Sequence, residues 1–73
     1  MASKIDKTVT IGRFKGGEVQ VRTILTAQGL EAKTLAMSSH DKNGEIWNIV
    51  LANGRKVQLV AVNKSDKVTI KEL

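Results

Sequence analysis

Ser39-His40-Asp41 places the three residue types of a hydrolytic triad next to one another. In a working triad the hydroxyl, the imidazole and the carboxylate converge in space from separated positions of the chain. Neighbouring residues cannot point at one another in this way. The tripeptide therefore predicts a polar turn before Asn43-Gly44 and not a catalytic centre.

Metal and covalent chemistry have few candidate residues in this chain. His40 is the single histidine and there is no cysteine, whereas zinc sites use about three or four protein ligands. The absence of cysteine also excludes a thiolate nucleophile and a disulfide framework. None of the seven carboxylates is paired in an apolar setting, as acid–base catalysis requires. We expect no catalytic residue, no metal, no cofactor and no enzymatic activity.

A glycine-rich segment from Gly12 to Gly17 superficially suggests a phosphate-binding loop. It lacks the GxxxxGK[ST] order, and the residues after it have the composition of a strand, whereas a phosphate loop leads into a helix. A hairpin turn at Gly16-Gly17 explains the segment better.

The chain has 73 residues, a mass of 8.0 kDa and a formal charge of +5, which indicates one small domain that attracts anionic partners. Its longest apolar runs, Ile49 to Ala52 and Leu59 to Val62, are far shorter than the roughly 20 residues of a membrane-spanning helix. The charged N-terminus does not resemble a signal peptide. We expect a cytoplasmic protein with no membrane contact, a flexible tail over residues 1–7 and a single β-rich domain over residues 8–73.

Turn signals and β-branched segments predict the elements. Gly16-Gly17, Asn43-Gly44 and Asn53-Gly54 favour tight hairpins, and the polar segment 63–66 predicts another turn. The expected fold class is α+β and β-rich: an antiparallel sheet of four to five strands with one short helix near residues 29–38, the alternative being an all-β small barrel. The predicted strands are Thr8 to Phe14, Glu18 to Thr26, Glu45 to Ala52, Arg55 to Val62 and Lys67 to Glu72.

Residues 27–42 permit two interpretations. Leu30 to Met37 has the composition of a helix, which is the interpretation adopted above. Asn43-Gly44 would also allow Leu35 to Asp41 to return as a strand, with Met37 opposite Val50.

Strand alternation then assigns faces to two hairpins. In the first, Phe14, Val19, Val21 and Leu25 share an inner face, and the basic residues Arg13, Lys15 and Arg22 share the outer one. Registering the second on Asn53-Gly54 makes both of its faces apolar, which indicates either a central position or a face reserved for a partner.

Several binding interpretations follow from these faces. Trp47 is either the central core residue or, with Arg55 beside it, the anchor of a protein interface. An outer strand, Thr8 to Phe14 or Lys67 to Glu72, would accept an extended peptide through its backbone. The alternatives are a basic nucleic-acid-binding β-barrel and a homo-oligomeric assembly protein. The candidate partner-binding residues are Arg13, Lys15, Arg22, Trp47, Arg55 and Lys56.

The short, basic, cysteine-free chain as a whole, and above all the stretch from Lys7 to Glu18, resembles the small host-RNA-polymerase-binding transcription regulators of lytic Xanthomonas phages. The resemblance implies a non-enzymatic protein that docks on bacterial RNA polymerase, inhibits initiation at host promoters and favours reading through terminators. It carries over no individual binding residue.

Overall fold

The computed structural model describes residues 4–62 and 65–73, and in these residues five strands and one helix are found. In chain order they are β1 (Asp6–Thr10), α1 (Glu18–Ala27), β2 (Ala32–Asp41), β3 (Gly44–Leu51), β4 (Lys56–Val62) and β5 (Lys67–Glu72). The strands form one sheet in the order β1-β5-β4-β3-β2, and every neighbouring pair is antiparallel. This confirms the α+β, β-rich class. The sheet has two free edges, so the small-barrel alternative is wrong.

The helix lies elsewhere than the sequence predicts. Residues 29–38 contain no helix and largely belong to strand β2, whereas α1 occupies the segment predicted as the second strand of the first hairpin. The deciding pattern is Val21, Ile24 and Leu25, which are buried at helical spacing against the sheet. The predicted hairpin on Gly16-Gly17 is therefore wrong, and so is its shared basic face.

Side-chain hydrogen bonds hold the loop that leads into α1. The side-chain Oε1 of Gln20 accepts hydrogen bonds from the backbone N–H groups of Lys15 at 2.6 Å and Gly16 at 3.0 Å, while its Nε2 donates to the carbonyl of Arg13 at 2.8 Å. Gly16 and Gly17 have φ values of 90° and 98°, which glycine adopts without a steric penalty. The first helical turn thus organises the loop before it.

The β3–β4 hairpin is confirmed, but its register differs by one residue from the prediction. Val50 pairs with Lys56, and Leu51 donates its N–H to the carbonyl of Arg55 at 2.8 Å, with Gly54 in the left-handed region of the loop. A shift of one residue exchanges the faces of one strand relative to the other. Consequently the buried apolar residues of the two strands share the side that faces α1: Trp47, Ile49, Leu51, Val57, Leu59 and Ala61.

Strand β2 returns along β3, as the strand interpretation of residues 35–41 predicted, with Met37 opposite Trp47 instead of Val50. The Oδ1 of Asp41 accepts hydrogen bonds from the N–H groups of Asn43 at 2.7 Å and Gly44 at 3.1 Å, which closes the turn. The pairing shifts register at two places, near Lys33 and near Ser38, which interrupts the regularity of this edge strand.

One face of the sheet and α1 enclose the core, and no helix of the described residues covers the opposite face. The predicted third hairpin is present as β4 and β5, although Asn63 and Lys64 of its turn lie outside the described residues. Strand β1 begins at Asp6, so Asp6 and Lys7 belong to the sheet and not to an N-terminal tail. The buried apolar residues are Phe14, Val21, Ile24, Leu25, Ala32, Trp47, Ile49, Leu51, Val57, Leu59, Ala61, Val68 and Ile70.

Candidate protein-interaction surface

The predicted basic partner-binding residues do not form one surface. Arg13 and Lys15 are exposed in the loop before α1, which lies beside the start of β3, where the Gly17 N–H points to Glu45. Arg55 and Lys56 lie at the other end of the sheet, where β3 ends and β4 begins. The structure therefore separates the predicted set into two groups.

Arg22 is engaged within the molecule. Its Nη1 donates to the carbonyl oxygen of Ala32 at 3.0 Å, and its Nη2 lies 3.6 Å from the Oε1 of Glu18, four residues earlier on the helix. These contacts join α1 to the start of β2, so the guanidinium has a structural role that the strand prediction did not foresee.

Trp47 is a core residue. Its side chain is 5% exposed, and its indole Nε1 donates to the Oε1 of Glu45 at 2.8 Å. The burial agrees with the interpretation of Trp47 as a core residue, and its side chain is not exposed to a partner in this structure. Phe14 is also buried, so neither aromatic side chain of the protein offers a surface on which a base could stack.

A helix follows the glycine-rich segment, contrary to prediction, and the start of a helix can bind an anion. Here the carboxylate of Glu45 lies at that position. Its Oε1 lies 3.5 Å from the Gly17 backbone nitrogen at the start of α1, and the side chain is only 9% exposed. A negative charge at a helix N-terminus is favourable. The protein's own carboxylate thus occupies the place that a bound anion would take.

Arg55 pairs with the carboxylate of Glu72 through two of its nitrogens, one of which, Nε, lies 2.9 Å from Oε2. The backbone N–H of Ile5 donates to the same carboxylate at 3.0 Å. The hydrogen bonds from Arg55, which are the larger cause, and the one from Ile5 hold the pKa of Glu72 below its ordinary value. Arg55 therefore ties β5 to the hairpin loop and, through Glu72, to the chain before β1.

Two edge strands offer backbone groups to a partner, β1 and β2. The N–H of Ile11 donates to the carbonyl of Asp66, and the N–H of Glu72 donates to the carbonyl of Ile5. Because Ile5 and Ile11 flank β1, the odd-numbered residues of this strand bond to β5. The backbone N–H and C=O groups of successive residues in an antiparallel strand point to opposite sides of the strand. The N–H and C=O groups of Asp6, Thr8 and Thr10 therefore point away from the sheet. The prediction that Lys67 to Glu72 is an outer strand is wrong, since β5 is paired on both sides.

An apolar groove runs beside the free edge of β1. It has a volume of about 260 Å³ and lies between the end of β1 and one side of α1. Aliphatic atoms of Val9, Ile11 and Ile24 contribute to its walls. The complete lining is Val9, Thr10, Ile11, Gln20, Thr23, Ile24, Ala27 and Gln28. The groove could not be predicted from the sequence while residues 18–26 were taken as a strand.

Basic side chains surround this edge. Lys4 and Lys7 lie at the start of β1, Arg13 follows it, and Lys67 and Lys71 lie opposite Thr10 and Asp6 on the neighbouring strand β5. The acidic residues along these same segments are Asp6, Asp66 and Glu72, and the carboxylate of Glu72 is paired with Arg55. The charge at this edge is therefore positive.

The uncovered face of the sheet is a second exposed surface. Ile46, Val50 and Val60 are half-buried there and Val62 is exposed, while Asn48 and Gln58 lie between them within hydrogen-bond distance of each other. Lys56 is on this face, next to Val50. The surface mixes aliphatic and polar groups, and a cavity of about 160 Å³ that Ile46, Val60 and Val62 help to line is smaller than the groove beside β1.

Other site classes find less support in the part of the chain that the structure describes. No group of three or more His, Asp or Glu side chains is placed to hold a metal ion there. Within the same residues, no helix is long and apolar enough to span a bilayer. Comparison of the chain with protein-family models, with curated proteins and with solved structures gave no match.

Proposed function

We propose that this protein is a non-enzymatic regulator that acts by binding a larger protein, and that its partner is bacterial RNA polymerase inside the host cell. The observation that supports binding is the free edge of β1, with outward backbone groups on Asp6, Thr8 and Thr10 beside an apolar groove. Edges and grooves of this kind accept segments of partner proteins. The polymerase is proposed from the resemblance of Lys7 to Glu18.

The proposed mechanism is occupancy. A positive charge of +5 speeds the encounter with an acidic surface, and contacts at the edge then set the lifetime of the complex. Such a protein inhibits initiation by covering or holding a part of the polymerase, and favours reading through terminators by remaining bound during elongation. No catalytic group is needed for either effect.

The experiment uses the full chain and purified Xanthomonas RNA polymerase. We expect a stable complex in sedimentation at moderate salt, and less transcript from a host promoter when the protein is added before the polymerase meets the DNA. A polymerase that sediments unchanged and initiates normally would overturn the proposal. Nuclease-treated components exclude bridging by nucleic acid.

Arg13 and Lys15 test the electrostatic part of this proposal. Both are exposed in the loop before α1, so the double variant Arg13→Glu/Lys15→Glu should fold normally and associate with the polymerase more slowly. The matched control is Lys33→Glu/Lys42→Glu, which makes the same change of charge on exposed residues of β2 and its turn. Equal association rates for the two double variants would remove Arg13 and Lys15 from the mechanism.

A nucleic-acid-binding function is the second candidate, because Lys56, Lys67 and Lys71 are all on the uncovered sheet face. Binding through phosphate contacts alone falls steeply with salt and tolerates any sequence. Tight, salt-sensitive binding to single-stranded DNA, together with no polymerase complex, would favour this candidate. Concentration-dependent sedimentation of the protein alone would instead favour the homo-oligomeric assembly protein.

A further inference from the structure

We propose that the β1 edge binds an extended segment of the partner that is aliphatic at alternate positions and acidic at its ends. The segment adds to β1 as a sixth strand and inserts its aliphatic side chains into the groove between β1 and α1. This inference rests on the protein-binding part of the proposed function, but not on the identity of the partner.

The backbone geometry supports strand addition at β1 in preference to β2. Asp6, Thr8 and Thr10 each present one donor and one acceptor along a strand whose pairing with β5 has no register shift. Strand β2 has register shifts near Lys33 and near Ser38, and bulges of this kind protect an edge from pairing.

The lining and size of the groove favour side chains of a partner as its occupants. Successive side chains of an added strand point to opposite faces of the sheet, so every second one would point to the α1 side. There it meets Val9 and Ile11 on one side and Ile24 and Ala27 on the other. A volume of about 260 Å³ lies below the roughly 300–1,000 Å³ typical of pockets that enclose a small molecule, which favours a few side chains over a free ligand.

The charges support an acidic segment. Lys4 and Lys7 lie at one end of β1 and Arg13 follows the other end, so carboxylates on both sides of the aliphatic positions would meet cations. A second copy of this chain is a poorer occupant, because two copies with a charge of +5 repel each other.

The experiment titrates the isotope-labelled full chain with a synthetic peptide, acetyl-Asp-Glu-Val-Thr-Val-Thr-Val-Glu-Asp-amide. We expect the amide signals of Thr8, Thr10 and Thr23 to shift most, and those of β2 to stay unchanged. A peptide with Lys in place of every acidic residue should bind about tenfold more weakly, and so should one with Ser in place of every Val. Shifts that centre on β2 or on the uncovered face, or equal affinity for all three peptides, would overturn the inference.

Two pairs of variants separate the edge from the groove. Thr8→Pro removes an outward N–H without removing a bond to β5 and should weaken peptide binding about tenfold, whereas His40→Pro makes the same type of change on strand β2. Thr23→Glu adds a negative charge in the groove. Its control is Thr26→Glu, since both threonines are exposed on α1 and donate their hydroxyl to a carbonyl four residues earlier, at 2.9 Å in each case. If each variant and its control have the same affinity, the inference is wrong.

The two proposals fail in different ways. Polymerase binding that survives Thr8→Pro and Thr23→Glu would overturn strand addition at β1 and leave the regulator function standing. Peptide binding at β1 without any polymerase complex would overturn the polymerase as partner and leave the edge site standing. A dimer of the free protein that Thr8→Pro dissociates would show that a second copy occupies the edge, and this also overturns the inference.

Discussion

The indole nitrogen of Trp47 donates a 2.8 Å hydrogen bond to the Oε1 of Glu45, and both side chains lie on the side of β3 that faces α1. This bond gives the buried carboxylate its closest donor, since the Gly17 nitrogen is 3.5 Å from the same oxygen. The core therefore contains a polar contact that links the sheet to the start of the helix.

Removal of that donor should destabilise the protein. We expect Trp47→Phe to lower the free energy of unfolding by about 2–4 kcal/mol, because a smaller ring leaves a cavity and the carboxylate loses its donor. Urea denaturation of Trp47→Phe, Glu45→Leu, which has no acceptor, and the double variant measures the coupling between the two residues. Strictly additive effects would show that the hydrogen bond contributes nothing.

Truncation to alanine should destabilise the protein at Val21 but not at Val19. Val19 is 81% exposed and Val21 is fully buried, which is the difference that a helix imposes on residues two positions apart. We expect Val21→Ala to cost about 2 kcal/mol and Val19→Ala to change stability by less than about 0.5 kcal/mol. Urea denaturation measures both. Similar costs would instead indicate one shared strand face, as in the predicted hairpin.

Gly44 should tolerate no side chain. A Cβ at this position would lie 2.0 Å from the backbone oxygen of Ala61 on β4. We expect Gly44→Ala to cost about 3 kcal/mol or more, because strands β3 and β4 must move apart. Gly29→Ala is the control: Gly29 has a φ of 77° with open space around it, so only backbone strain of about 1–2 kcal/mol applies. Equal thermal destabilisation of the two variants would contradict the close approach.

Stability should fall in acid partly through Glu72. Its pKa in the folded protein is lowered from an ordinary value of 4.5 by hydrogen bonds from Arg55 and from the Ile5 N–H. The carboxylate therefore contributes stability that is complete well above pH 4.5, and this is lost as the pH falls through the folded pKa. We expect the urea midpoint to fall less between about pH 6 and pH 3 in Glu72→Gln than in the wild-type protein. Glu31 is exposed, so Glu31→Gln serves as the control, and its urea midpoint should fall as much as that of the wild-type protein over the same pH range.

The sequence predicts the hairpins from β3 to β5 because their turns and β-branched strands agree with each other. It does not predict α1, because residues 18–27 are rich in Val, Ile and Thr, which favour strands locally. The helix forms where Val21, Ile24 and Leu25 can be buried together, a contact with distant strands that a local pattern does not contain. The same lack of distant information gave Leu30 to Met37 a helical prediction, although its backbone pairs with β3.

The candidate site was predictable only in part. An outer strand beginning near Thr8 was among the predicted peptide-binding edges, and β1 is such an edge. The groove beside β1 is formed partly by α1, which the sequence does not predict. Nothing in the sequence therefore indicates Thr23 and Ala27 as site residues. Arg22, Arg55 and Trp47 were predicted from composition and strand faces. Their contacts with Ala32, Glu72 and Glu45 are made inside the protein and depend on the fold.

The strand order has a consequence for folding kinetics. Strands β2 to β5 pair with their sequence neighbours, but β1 pairs with β5 across almost the whole chain, as the Ile5–Glu72 contact spans 67 positions. Closing a loop of that length costs roughly 2 kcal/mol more conformational entropy than closing a hairpin, because the cost grows with the logarithm of loop length. The meander should therefore assemble first and β1 should join it last. The edge that we propose for the partner is completed only when folding is.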